Sequence, residues 1–140
     1  MIDIFDDVLE EHNAMLIDDE VKHLSWKYDH PSDSSKPNKH WHVLCGHNKQ
    51  ECEVANCYWA DTLFNMLMDK FNFKSKYNVD DYVRIYCNAH THGIEPHLHI
   101  DDGDFTMIYY PRIDWKDAWG GGTIIYNEQK TNIDKHVLYK

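Results

Sequence analysis

No apolar run in this 140-residue chain approaches the roughly 18 to 20 residues that span a bilayer, so a membrane-crossing helix is not expected. The opening Met1-Ile2-Asp3-Ile4-Phe5-Asp6-Asp7 is acidic where a secretory leader is basic and then apolar, which points to the cytoplasm. Positive charge is scarce: 14 Lys and Arg stand against 24 Asp and Glu, for a net charge of -10. The basic residues are also scattered, which argues against a nucleic-acid backbone as the main partner, because phosphate binding needs clustered cations. A close Cys-x2-Cys pair is missing too. The spacing Cys45-x6-Cys52-x4-Cys57, with Cys87 remote, serves a zinc module poorly even with His40, His42 and His47 nearby, and free, buried or half-buried thiols are expected instead. There is no repeat of solenoid period and no composition break that would mark a second domain.

What is present is enough for one core. At 42% hydrophobic and 14% aromatic residues, the chain reads as a single domain over 1–140. Ile2, Ile4 and Phe5 suggest a short opening strand. A helix follows between Val8 and Leu24, with Leu9, Leu16, Val21 and Leu24 near one face. The Ser/Pro-rich stretch 29–39 supplies turn residues and cannot bury a face, so it reads as a surface loop. A second helix is expected from about Glu51 to Phe71, because Trp59, Leu63, Leu67 and Phe71 recur every four residues, with acids at its start and Lys70 at its end. From about residue 78 the pattern changes to strands: 82–86 alternates, 106–110 is rich in β-formers, and 123–126 follows a glycine turn. The expectation is a mainly β fold with N-terminal helices, of jelly-roll type, its helical part covering about 1–75 and its β part about 78–140.

The chemistry concentrates between Arg84 and Tyr126. His97, His99 and Asp101 alternate, but successive same-face residues on a strand lie about 6.5 to 7 Å apart, too far for all three to hold one ion. Asp101-Asp102-Gly103-Asp104 provides a bend, which makes His99 and Asp101 the better pair and leaves His97 a solvent-facing or hydrogen-bonded neighbour. An imidazole and a carboxylate at this spacing are two thirds of the facial site of non-haem Fe(II) oxygenases. His90 and His92 sit in the preceding loop and receive no role.

At these residues the chain resembles a known family. Arg84-Ile85-Tyr86-Cys87-Asn88, Gly93, His99-x-Asp101-Asp102, Phe105-Thr106-Met107-Ile108-Tyr109-Tyr110, Asp114-Trp115, Trp119-Gly120-Gly121 and Thr123 are similar to the Fe(II)/2-oxoglutarate-dependent dioxygenases of the prolyl 4-hydroxylase type, in the flavour of small bacterial and phage members. The resemblance covers 82–127 closely and the N-terminal part more loosely. It implies a double-stranded β-helix, His99 and Asp101 as metal ligands, and Tyr86 and Tyr110 as tyrosines that reach the cosubstrate, with Thr106 and Ile108 on the same strand face as Tyr110. It also implies Fe(II), 2-oxoglutarate as cosubstrate and ascorbate as accessory reductant, acting on a peptidyl proline or a small molecule. Core or strand-surface packing is the other reading of both tyrosines. Packing is expected for Trp115 and Trp119, and a backbone turn for Gly120-Gly121-Gly122.

The family pattern continues past the H-x-D to a second histidine and then a basic residue that pairs with the far carboxylate of 2-oxoglutarate. Only 39 residues follow Asp101 here, with His136 the sole later histidine, in a stretch that reads as the strand before those elements. The C-terminal strands of the β-helix are therefore expected to be missing, leaving an open sheet edge and a shortened form or natural fragment of an oxygenase. Two alternatives stand beside the enzyme: a catalytically incomplete or degenerate oxygenase fold acting by binding, and a cupin-type metal protein using His97-x-His99.

Overall fold

The structure, a computed structural model, describes residues 2–31, 35, 38–94, 97–127 and 132–137. It is a small α+β fold with an N-terminal helix and two antiparallel sheets. The chain divides into two compact units, one of residues Asp19–Met107 and one of Met1–Asp18 with Ile108–Lys140. No jelly roll forms among the described residues. The stretch 106–110, expected as a strand, joins no ladder, and neither does the opening 2–5. Among the described residues no helix is long and apolar enough to cross a membrane.

Helix α1 (Glu11–Lys22) carries Glu11 in its first turn and Lys22 in its last, charges that complement the helix dipole. It buries Val21, as expected, and Ile17, four residues earlier, takes the inward place expected of Leu16, which is exposed.

In the larger unit, β1 (Lys27–Pro31), β2 (Lys39–Gly46) and β3 (Ile85–Ala89) form an antiparallel sheet in the order β1-β2-β3. Strand β1 runs into the stretch expected as a loop; residues 32–34 and 36–37 of that stretch lie outside the described residues. Across β2 and β3 the register pairs His42 with Asn88, Val43 with Cys87 and Leu44 with Tyr86, then slips so that Gly46 meets Ile85. The slip leaves Cys45 as the extra residue of a bulge.

The predicted second helix is two helices, α2 (Lys49–Val54) and α3 (Tyr58–Lys70). Asn48 opens α2 by accepting the Glu51 N–H at 3.0 Å, while the Glu51 carboxylate reaches back to the His47 N–H at 3.0 Å, a reciprocal capping arrangement. Asn56 ends α2 with φ at 57°. The Asn56 N–H donates to the Glu53 carbonyl at 3.1 Å and the Cys57 N–H to the Cys52 carbonyl at 2.7 Å, the two bonds of a Schellman closure. Asn72 and Asn78 take the same left-handed conformation after α3 and after α4 (Phe73–Tyr77). Asparagine tolerates this region far better than most residues do, and here it stands where glycine is usual.

Helix α3 buries Ala60, Leu63, Leu67 and Met68. Cys45, Cys52, Cys57 and Ala60 form the centre of the unit, with Leu24, Val43, Trp59, Ile85 and Cys87 packed around them. The four cysteines are free thiols, as expected, and three of them are buried. Burial pushes the Cys57 thiol up to about 12, and a hydrogen bond with Cys87, followed by burial, pushes Cys45 up as well. These sulfurs act as small apolar packing groups. Tyr82 pins the approach to β3 on α3, its hydroxyl donating to Asp61 Oδ1 at 2.8 Å.

In the smaller unit, β4 (Thr123–Tyr126) pairs antiparallel with β5 (Ile133–Val137). Asp18, almost fully buried, is met by Arg112 Nε at 2.9 Å, and Arg112 Nη2 also reaches Asp114 Oδ1 at 2.6 Å. Trp115 Nε1 donates to the Gly120 carbonyl at 2.7 Å, and its ring stands edge-on to Trp119. Gly120 and Gly121 both have positive φ. A Cβ on Gly121 would lie 2.9 Å from the Trp115 ring, so the glycine turn and the indole packing are one feature.

Gly46 tests how tightly β2 meets α2. An added Cβ there would lie 2.7 Å from the Cys52 backbone nitrogen and 2.8 Å from the Glu51 Cβ. Backbone cannot yield as a flexible side chain can, so Gly46→Ala is expected to lower unfolding stability by about 1 to 3 kcal/mol. A urea transition whose midpoint matches the parent protein would contradict this packing.

Candidate metal centre

Alternation on a strand sends successive side chains to opposite faces, and on β2 it separates two chemistries. Val43 and Cys45 join the thiol core, where Cys45 Sγ lies 3.8 Å from Cys87 Sγ. His40 and His42 take the other face together with His30, Tyr86, Asn88 and His90. The His30 and His42 rings stack with centroids 4.1 Å apart, and His40 stacks on His90 at 4.7 Å. His42 lies 5.5 Å from Tyr86 and 2.9 Å from Asn88 Oδ1, to which its Nδ1–H donates.

His30, His40 and His42 bring their ligand-type atoms within 4.8 Å of one another, close enough to hold a metal ion. They range from exposed His30 through partly buried His42 to His40, which is 2% exposed. The His40 Nε2 is buried without a hydrogen-bond partner among the described residues. Burial, then the neighbouring His90, lower the His40 imidazole to about 4, only partly opposed by a hydrogen bond with Asn88. Burial, then His42, lower His30; burial, then His99, lower His90. Crowded imidazoles taken out of water disfavour the charged form twice over, by desolvation and by mutual repulsion.

The H-x-D segment belongs to the same unit. His99 Nε2 and Asp101 Oδ1 converge to 3.4 Å, and the backbone bend falls just after them, at residues 102–104. The His99 Nδ1–H donates to the His97 carbonyl at 2.8 Å, which leaves the lone pair on Nε2, the nitrogen that faces the carboxylate. His97 itself is partly buried, and its Nε2 has no hydrogen-bond partner among the described residues. Arg84, at the entrance to β3, reaches Asp102 Oδ2 at 3.4 Å and lies over the Tyr86 ring at 5.4 Å. Tyr86 is half-buried, and burial, then the Asp101 carboxylate, raise its phenol.

Three of the four residues singled out from the sequence, His99, Asp101 and Tyr86, therefore lie in one unit, with electrostatic contact between Tyr86 and Asp101. Tyr110 is in the other unit, where its hydroxyl is hydrogen-bonded to the Thr123 hydroxyl. Thr106 and Ile108 are exposed. His136 lies exposed on β5 opposite Ile124. Sequence reasoning missed the trio on β1 and β2. Its one visible signal is the alternation His40-Trp41-His42-Val43, half of a strand pattern with imidazoles in place of apolar residues. His90, given no role from the sequence, is a wall of the same cluster.

No family model, no curated protein and no solved structure matches this chain.

His40 offers a direct test of the buried face. Its folded-state pKa lies below the ordinary 6.5, so the unfolded chain binds the proton more readily. Its contribution to stability is complete above about 6.5 and falls away as pH drops toward 4, by at most about 1.4 kcal/mol per pH unit. NMR titration of the His40 ring should give a midpoint near 4. A midpoint near 6.5 would mean that His30, His42, Asn88 and His90 do not enclose it as described.

Proposed function

We propose that the protein is a non-haem Fe(II)- and 2-oxoglutarate-dependent dioxygenase that hydroxylates a peptidyl proline or a similar C–H substrate. The observation that carries this reading is the convergence of His99 Nε2 and Asp101 Oδ1 to 3.4 Å. One nitrogen and one oxygen donor, presented side by side, suit Fe(II). The run of motifs from Arg84 to Thr123, similar to that of prolyl-hydroxylase-type oxygenases, supports the specific chemistry.

In this reading His99 and Asp101 hold the metal, as neutral imidazole and ionised carboxylate. Fe(II), when bound, would supply oxidation of a C–H bond by oxygen, with 2-oxoglutarate as the co-reductant converted to succinate and CO2, one oxygen atom going to succinate and the other to the hydroxylated product. The His97 carbonyl orients the His99 ring through its Nδ1–H. Arg84 ties down Asp102 and so steadies the turn next to the ligand Asp101. Tyr86 stays protonated beside Asp101, so its hydroxyl can donate a hydrogen bond to a carboxylate of the cosubstrate.

Anaerobic titration of the full chain with Fe(II) or Mn(II), with and without 2-oxoglutarate, tests the proposal. The cosubstrate should tighten metal binding, and His99→Ala and Asp101→Ala should each abolish the cosubstrate-sensitive binding. Succinate release coupled to oxygen uptake then reports turnover. Metal affinity unchanged in both variants would overturn the ligand assignment. Metal binding indifferent to 2-oxoglutarate would instead favour a protein that only binds.

Tyr86→Phe separates cosubstrate binding from metal binding. Loss of one hydrogen bond to a charged group, about 1.5 kcal/mol, should weaken 2-oxoglutarate binding about tenfold and leave Mn(II) affinity in its absence unchanged. An equal loss of both would assign Tyr86 to packing.

A further inference from the structure

We propose that His30, His40 and His42 form a second metal site, a tris-imidazole centre for a borderline divalent ion, Zn(II) first, separate from the His99–Asp101 pair. The donors set the class of ion. Three nitrogens with no carboxylate among them suit zinc, copper, nickel or cobalt and serve the oxygen-preferring magnesium, calcium and manganese poorly. Their ligand-type atoms lie within 4.8 Å of one another, and tetrahedral ligands at zinc-to-nitrogen bond lengths stand about 3.3 Å apart. Rotation of the imidazoles about their side-chain bonds on binding would close the remaining distance.

Two independent features point to a ligand here. His40 is 2% exposed, yet its Nε2 has no partner among the described residues. A buried polar atom left without a partner is costly, and a coordinated ion would satisfy it. Asn88 supplies the second feature: the His42 Nδ1–H donates to its Oδ1 at 2.9 Å, leaving Nε2 with the lone pair. Metal-ligating histidines are characteristically held in this way, with the other ring nitrogen donating to an oxygen. His90, stacked on His40 at 4.7 Å, closes one side. The alternative is a packed aromatic face with no ligand, in which the His30–His42 stack is the whole purpose of the cluster.

Zn(II) titration of the full chain against a chromophoric chelator distinguishes these. Wild type should take up a zinc equivalent that persists in the His99→Ala/Asp101→Ala double variant and is indifferent to 2-oxoglutarate. In that background His30→Ala and His42→Ala should each weaken zinc binding by at least about 100-fold, and Asn88→Ala by about 10- to 100-fold. Co(II) bound to the same background should show the intense visible bands of a tetrahedral nitrogen site, lost in His42→Ala. His30 is exposed on an edge strand, so His30→Ala should keep the near-ultraviolet circular dichroism of its parent and stay interpretable if the other variants fold poorly. Zinc affinity unchanged in His30→Ala, or no retained equivalent in the double variant, overturns the proposal. Neither result bears on the 2-oxoglutarate-sensitive metal binding at His99 and Asp101.

Discussion

The interaction on which the larger unit depends is the packing of one face of the β1-β2-β3 sheet against α2 and α3 through small sulfur and aliphatic side chains. Cys45, Cys52, Cys57 and Ala60 are all nearly or fully buried. Small side chains allow helix and strand backbones to approach closely, and at Gly46 the approach is close enough that even a methyl group meets backbone. Once alternate residues of β2 are committed to this core, the period of the strand sends His40 and His42 to the opposite face. The histidine array is therefore a consequence of the thiol core: one cannot be moved without turning over the other.

Electrostatics then shapes that opposite face. His40, removed from water and stacked on His90, favours its neutral form, and the neutral form is the one that donates a lone pair to a metal. The H-x-D segment presents a different donor pair within the same unit. His90 feels His99 electrostatically while it stacks on His40, so the two sets of ligands are neighbours. The structure thus offers an all-nitrogen trio and a mixed nitrogen-oxygen pair side by side, and the difference in donor type is what allows two ions of different preference to be told apart.

Much of the local structure was legible. The acidic start at Glu51 and basic end at Lys70, the inward Leu63 and Leu67, the free buried thiols, the Trp115 and Gly121 packing, and the strand at Thr123–Tyr126 all follow from periodicity, charge placement and residue size. The break between α2 and α3 was not legible. Asn56 interrupts an otherwise continuous apolar period, and an asparagine inside such a pattern has no mark that distinguishes a left-handed helix end from an exposed helical position. Strand β2 was missed for a related reason. Its inward residues are Val43 and Cys45, while its other face carries imidazoles, so the usual contrast of apolar and charged residues is absent.

The sequence by itself determined that His99 and Asp101 could meet, because they stand two positions apart and their side chains reach each other through local geometry alone. It also pointed to cysteines that pack rather than ligate, since the spacing Cys45-x6-Cys52-x4-Cys57 lacks the close pair of a zinc module. Only the tertiary structure decided that His30 would meet His40 and His42, because the meeting depends on the strand register and on which face the thiol core claims. It likewise left 106–110 outside any ladder despite its β-forming residues, since a strand exists only where a neighbouring strand accepts its hydrogen bonds.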